Sequence, residues 1–159
     1  MLTVTSSKPN PPSSQTIIWL LSLLCFAITP AAIADNGISS IKILSRLDYN
    51  AIVITEVDLV FVYDQQLAEQ LPTLKGEWYS QKYDLLKNDQ SGMEVITISI
   101  PQGFDSQDVI LPDQSTKAVR VFAAGYHDAQ DMPVSDLTRW TRVLIEIDAF
   151  GILVSEPPQ

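Results

Sequence analysis

Few residues in this chain could carry catalysis. His127 is the only histidine among 159 residues and stands in Tyr126-His127-Asp128. A His-Asp pair can activate a serine, but no Gly-x-Ser-x-Gly elbow is present to supply one. Zinc needs several converging nitrogen or sulfur ligands; with one histidine and one cysteine, Cys25, no such set is expected. Carboxylates are plentiful, and two clusters stand out: Asp105-Ser106-Gln107-Asp108 and Asp128-Ala129-Gln130-Asp131. Neither has the D-x-[DN]-x-[DN]-G spacing of a calcium loop, so both read as solvated loop faces. A glycosidase would need two carboxylates facing each other across a cleft, and no pattern marks such a pair. The chemistry on offer is binding without a cofactor or metal, and no enzyme is expected.

The residues suited to binding are aromatic and acidic. Trp78, Tyr79 and Tyr83 form the most distinctive local cluster, and aromatic side chains dominate the energetics of protein interfaces. Trp78 and Tyr79, together with the loop residues Tyr126, His127, Asp128 and Asp131, are the candidate partner-binding set, each chosen for expected exposure. The competing expectation for the aromatic cluster is that its helix caps an open end of the fold with its apolar face.

Before these residues can be positioned, the first 34 should be set aside. Ile17 to Ile28 is an apolar run of 12 residues, short of the roughly 20 that span a bilayer. Thr29-Pro30 breaks it, and Ala32 and Ala34 have the small-residue spacing that a signal peptidase reads, so cleavage is expected before Asp35. Cys25 follows Leu24, which is too large for a lipidation site, and reads as an ordinary apolar residue of the leader. Residues 35–159 then form one domain of 125 residues without cysteine. Loss of Lys8 with the leader moves the net charge from −9 to −10. Such a surface repels phosphate backbones and anionic lipid, so nucleic acid is not an expected partner.

The domain alternates in period two over most of its length. Strands are expected at 39–47, 51–63 (with a bulge or corner near Glu56), 94–100, 109–111, 118–126, 140–148 and 152–154. Between the second and third, the period changes. Asp64 is placed to cap a short helix carrying Leu67, Ala68 and Leu71, which Pro72 ends. A second helix is expected over 76–87, with Tyr79, Tyr83 and Leu86 on one stripe. With six to eight strands and no βαβ alternation, the chain is expected to be mainly β, an antiparallel β-sandwich with a short helical insertion.

The order of these features resembles the periplasmic lipoprotein family of type VI secretion systems. The similarity lies in Val57-Asp58-Leu59-Val60-Phe61-Val62-Tyr63-Asp64 before the helical insertion, in Ile96 to Pro101, and in Val109-Ile110-Leu111-Pro112. It continues through Ala118 to Asp128 and Trp140-Thr141-Arg142-Val143. The resemblance implies a transthyretin-like sandwich acting as a periplasmic scaffold, associated with the outer membrane. Its implied partner is an envelope protein, the periplasmic part of an inner-membrane secretion component. Unlike members of that family, the chain lacks an acceptable lipidation cysteine. The alternative function is a periplasmic module binding a small molecule, carbohydrate or calcium on the sandwich.

Overall fold

The computed structural model describes residues 37–46, 54–88, 92–126, 131–148 and 150–158. The expected leader, Cys25 and the start of the second strand lie outside these residues. Eight strands are found among them. One four-stranded sheet contains β1 (Ser40–Ser45), β4 (Ser106–Asp108), β7 (Arg142–Asp148) and β8 (Gly151–Ser155), in the order β4-β1-β7-β8. The other contains β2 (Glu56–Val62), β3 (Met93–Ser99), β5 (Arg120–Gly125) and β6 (Ser135–Asp136), in the order β3-β2-β5-β6.

β2 organises the molecule because both of its faces are buried. Val57, Leu59 and Phe61 point into a core shared with Ile41, Ile43, Val143, Ile145 and Ile147 of the first sheet. Val60 and Val62 point the other way, into a second core closed by helix residues. Each Leu, Val, Ile or Phe buried in this way contributes about 1.5–3 kcal/mol. The domain is thus a β-sandwich with a helical layer over the outer face of the β2 sheet.

That layer has two helices. α1 (Gln65–Gln70) begins where the Asp64 carboxylate accepts the Leu67 N–H at 2.7 Å, the expected cap, and Pro72 follows its end. α2 (Lys75–Asn88) starts one residue before the expected helix, and Tyr79 and Leu86 of the expected stripe pack against the helix-side core while Tyr83 does not. Tyr83, placed on one stripe with Tyr79 and Leu86, is 71% exposed, whereas Trp78 has no exposed surface and Lys82 only 6%. The reason is polar: the Trp78 indole and the Lys82 ammonium both reach a buried carboxylate on β2, and this requirement sets the rotation of the helix.

Two further differences concern the sheets. β1 and β7 pair in parallel, Ser40 opposite Arg142 through Ser45 opposite Ile147, so the first sheet is mixed rather than antiparallel. No hairpin joins these strands, and their relative direction is free of a tight turn. The strand expected at 109–111 lies earlier, as β4, with Val109 continuing the ladder by donating its N–H to Ile41 O.

Candidate interaction surface

Two clusters stand out among the described residues. The first is internal. Asp58, on the helix-facing side of β2, is completely buried. Its carboxylate accepts from Lys82 Nζ at 2.8 Å, from Trp78 Nε1 at 2.9 Å and from Thr97 Oγ1 at 2.6 Å. Lys82 also reaches Glu56 Oε1 at 3.3 Å, and the Trp78 ring meets Phe122 edge-on at 5.3 Å between centroids. Burial alone would pull the Lys82 ammonium down, but the hydrogen bond and charge of Asp58, aided by Glu56, overcome it and raise its pKa above the usual 10.5. A lysine held in the ammonium form has no lone pair for attack on a carbonyl. With every member satisfied and the carboxylate shielded, the cluster fastens α2 to β2 and β3.

The second cluster is at the surface, where the β7–β8 turn meets the connection between β5 and β6. Asp148 Oδ1 accepts the N–H groups of Phe150 at 2.8 Å and Gly151 at 3.0 Å. Gly151 takes φ 147°, a backbone conformation that side chains disfavour. The turn so fixed leaves Phe150 90% exposed. Met132 and Leu153, each about half exposed, join it around a cavity of about 190 Å³ that Lys75, Asp148 and Ile152 also line. Met132 is anchored from behind: its carbonyl accepts the Lys75 N–H at 3.0 Å, and Val134 N–H donates to Thr73 O at 2.9 Å. Hydrogen bonds to Asp148 in the turn and backbone hydrogen bonds on both sides of Met132 thus accompany three large apolar side chains that face water.

The candidate residues named from sequence divide around this surface. Asp131 is exposed and directly precedes Met132. Tyr126 is exposed and packs edge-on against Tyr79, with centroids 4.9 Å apart. Tyr79 is half-buried and donates its hydroxyl to Ala124 O at 2.8 Å. Trp78 must be corrected: expected at the surface, it lies wholly in the helix-side core, because its indole N–H is committed to Asp58. His127 and Asp128 lie outside the described residues. Phe150, Met132 and Leu153 were not singled out from sequence. The available signal was Phe150 itself, an aromatic residue inside a turn where polar residues are usual.

A larger groove of about 590 Å³ lies on the outer face of the β4-β1-β7-β8 sheet, lined by Lys42, Leu44, Arg46, Leu144, Glu146 and the tail from Ser155 to Pro158. Arg46 donates to Glu146 Oε1 at 2.6 Å within it. Among the described residues, no group of three or more histidine, cysteine or carboxylate side chains is placed to hold a metal ion. No helix among them is long and apolar enough to cross a membrane.

No protein-family model, curated protein or solved structure matches the chain. The resemblance to type VI secretion lipoproteins therefore rests on the sequence patterns alone, and the structure supports a β-sandwich without assigning it to the transthyretin-like group.

Proposed function

We propose that this chain is a non-catalytic interaction subunit that works in the periplasm and holds an envelope protein through the surface built by Met132, Phe150 and Leu153. The observation carrying this reading is Phe150, an aromatic side chain at 90% exposure on a turn locked by two hydrogen bonds to Asp148. Exposing a large apolar side chain on a hydrogen-bonded turn offers no benefit to folding, whereas a preorganised aromatic anchor lowers the entropic cost of association. The leader pattern in residues 1–34 supports export. The sequence resemblance supports a type VI secretion membrane complex as the setting, with an inner-membrane component as partner.

The test is in vivo photocrosslinking in the native envelope, with p-benzoylphenylalanine placed at position 150 and, separately, at exposed Ile110 outside the cluster. The reading expects one envelope protein to crosslink from position 150 and not from position 110. Equal crosslinking from both positions, or none from position 150, would overturn it.

The groove beside Arg46 and Glu146 favours a second reading. Its volume falls in the range of about 300–1,000 Å³ usual for small-ligand sites. A small molecule or glycan bound there would raise the melting temperature with concentration. The absence of a shift across a panel of such ligands would remove this reading.

A further inference from the structure

Among the described residues, the β2 sheet ends on one side in β3, a strand with no further strand beside it. Its opposite edge, β6, has 2 residues, and the edges of the other sheet, β4 and β8, have 3 and 5. β3 has 7, Met-Glu-Val-Ile-Thr-Ile-Ser, with one charge and neither proline nor lysine. Proteins commonly protect such edges with lysine, proline, bulges or shortness, and β3 uses none of these.

Register fixes which backbone groups are free. Tyr63 N–H donates to Gly92 O at 2.7 Å and Ile100 N–H to Thr55 O at 2.8 Å, so even-numbered residues of this segment hydrogen-bond to β2. In an antiparallel pair the alternate residues turn their N–H and C=O away. On β3 these are Met93, Val95, Thr97 and Ser99, and among the described residues no backbone hydrogen bond reaches this outer side. Together they present a row of four donors and four acceptors.

We propose that the outer edge of β3 is a docking site for an extended, cationic segment of another protein, which adds a fifth strand to the sheet. The backbone row selects a β-strand as the ligand. Charge selects its sign. The chain carries a net charge of −9, so a second copy of it meets like-charge repulsion. The only charged residue on β3 is Glu94, which is exposed and calls for lysine or arginine beside it on the incoming strand. This site rests on register and charge, independently of the Phe150 surface.

The experiment uses the full chain labelled with ¹⁵N, and an alternating lysine–valine octapeptide as the probe. The peptide is expected to slow hydrogen exchange at the Val95 and Thr97 amides by about tenfold or more, and an alternating glutamate–valine octapeptide to have no effect. Proline on the free side of an edge strand leaves the β2 ladder intact. Val95→Pro and Ser99→Pro should therefore abolish the effect while the circular dichroism spectrum stays unchanged. Protection elsewhere, no protection at β3, or equal protection by the acidic peptide would overturn the proposal. So would a dimer of the free chain in light scattering that Val95→Pro dissociates, since the edge would then belong to a second copy. If Val95→Pro alone fails to fold, Ser99→Pro, at an exposed position, carries the test.

Discussion

The Lys82 ammonium lies 2.8 Å from the Asp58 carboxylate, and the carboxylate is entirely out of water. Such a pair is far more costly to break than it is valuable to have, because removing one partner strands the other charge in a low dielectric. Lys82→Met should therefore destabilise the fold by about 3–5 kcal/mol. Adding Asp58→Asn should recover most of that loss, since the amide oxygen in the place of Oδ2 accepts from Trp78, the amide NH2 in the place of Oδ1 donates to the Thr97 hydroxyl, and no buried charge remains. Urea denaturation of the two single variants and the double variant measures the coupling directly. Simple additivity would show that the pair does not act as a unit.

Alkaline pH should weaken the fold through two groups. Tyr63 is pushed up from 10.0 to about 12, first by burial, then by the negative charge of Glu94 and the hydrogen bond to it. Lys82 is raised above 10.5 by its carboxylate partners in spite of burial. In both, the folded pKa exceeds the unfolded one, so the native state holds the proton more tightly. The stabilisation is complete below the unfolded values and is lost as pH rises through the folded ones. Melting temperature should fall between pH 10 and about 12, and Tyr63→Phe should flatten part of that fall. An identical fall in wild type and variant would remove Tyr63 from the account.

Sequence periodicity was informative wherever one physical demand acted alone. The alternation of Val143, Ile145 and Ile147, and the opposition of Val121 and Ala123 to Phe122 and Ala124, appear in the two cores, whereas Val119, grouped by alternation with Val121 and Ala123, precedes β5 and packs against the helix-side core. Asp64 and Pro72 bounded α1 because capping and proline geometry are local. Periodicity misled where a distant polar group competed with it. Spacing put Tyr79, Tyr83 and Leu86 on one stripe, but Asp58, 24 residues before Lys82 in sequence, draws that lysine inside and Tyr83 stays exposed. The parallel β1–β7 pair has no local signature either, since its register joins residues about 100 apart. Asp131 and Tyr126 are exposed, as loop chemistry suggested. Met132 and Leu153 join Phe150 only through the meeting of two connections.

Removing the cap of α1 gives a local test of the helical layer. Asp64→Ala deletes the acceptor of the Leu67 N–H and should cost about 1 kcal/mol. α1 has 6 residues, too few to be stable apart from its packing against β2. Hydrogen exchange should therefore quicken along the whole of α1 in the variant. If only the Leu67 amide responds, tertiary packing alone holds the helix.

The β7–β8 turn separates presentation from stability. Phe150 touches solvent over most of its surface, so Phe150→Ser should leave stability within about 0.5 kcal/mol of wild type. Gly151 occupies a backbone conformation that a β-carbon strains, and Gly151→Ala should cost about 1–3 kcal/mol. Asp148→Ala, which removes the acceptor of two turn N–H groups, should loosen the turn without altering the apolar residues themselves. If the surface works by preorganisation, partner capture should be lost in Phe150→Ser at unchanged melting temperature and weakened in Asp148→Ala, where the phenylalanine is present but no longer held. Full capture by Asp148→Ala would mean that the side chain matters and its rigid placement does not. Full capture by Phe150→Ser would move the partner's footprint off this turn altogether.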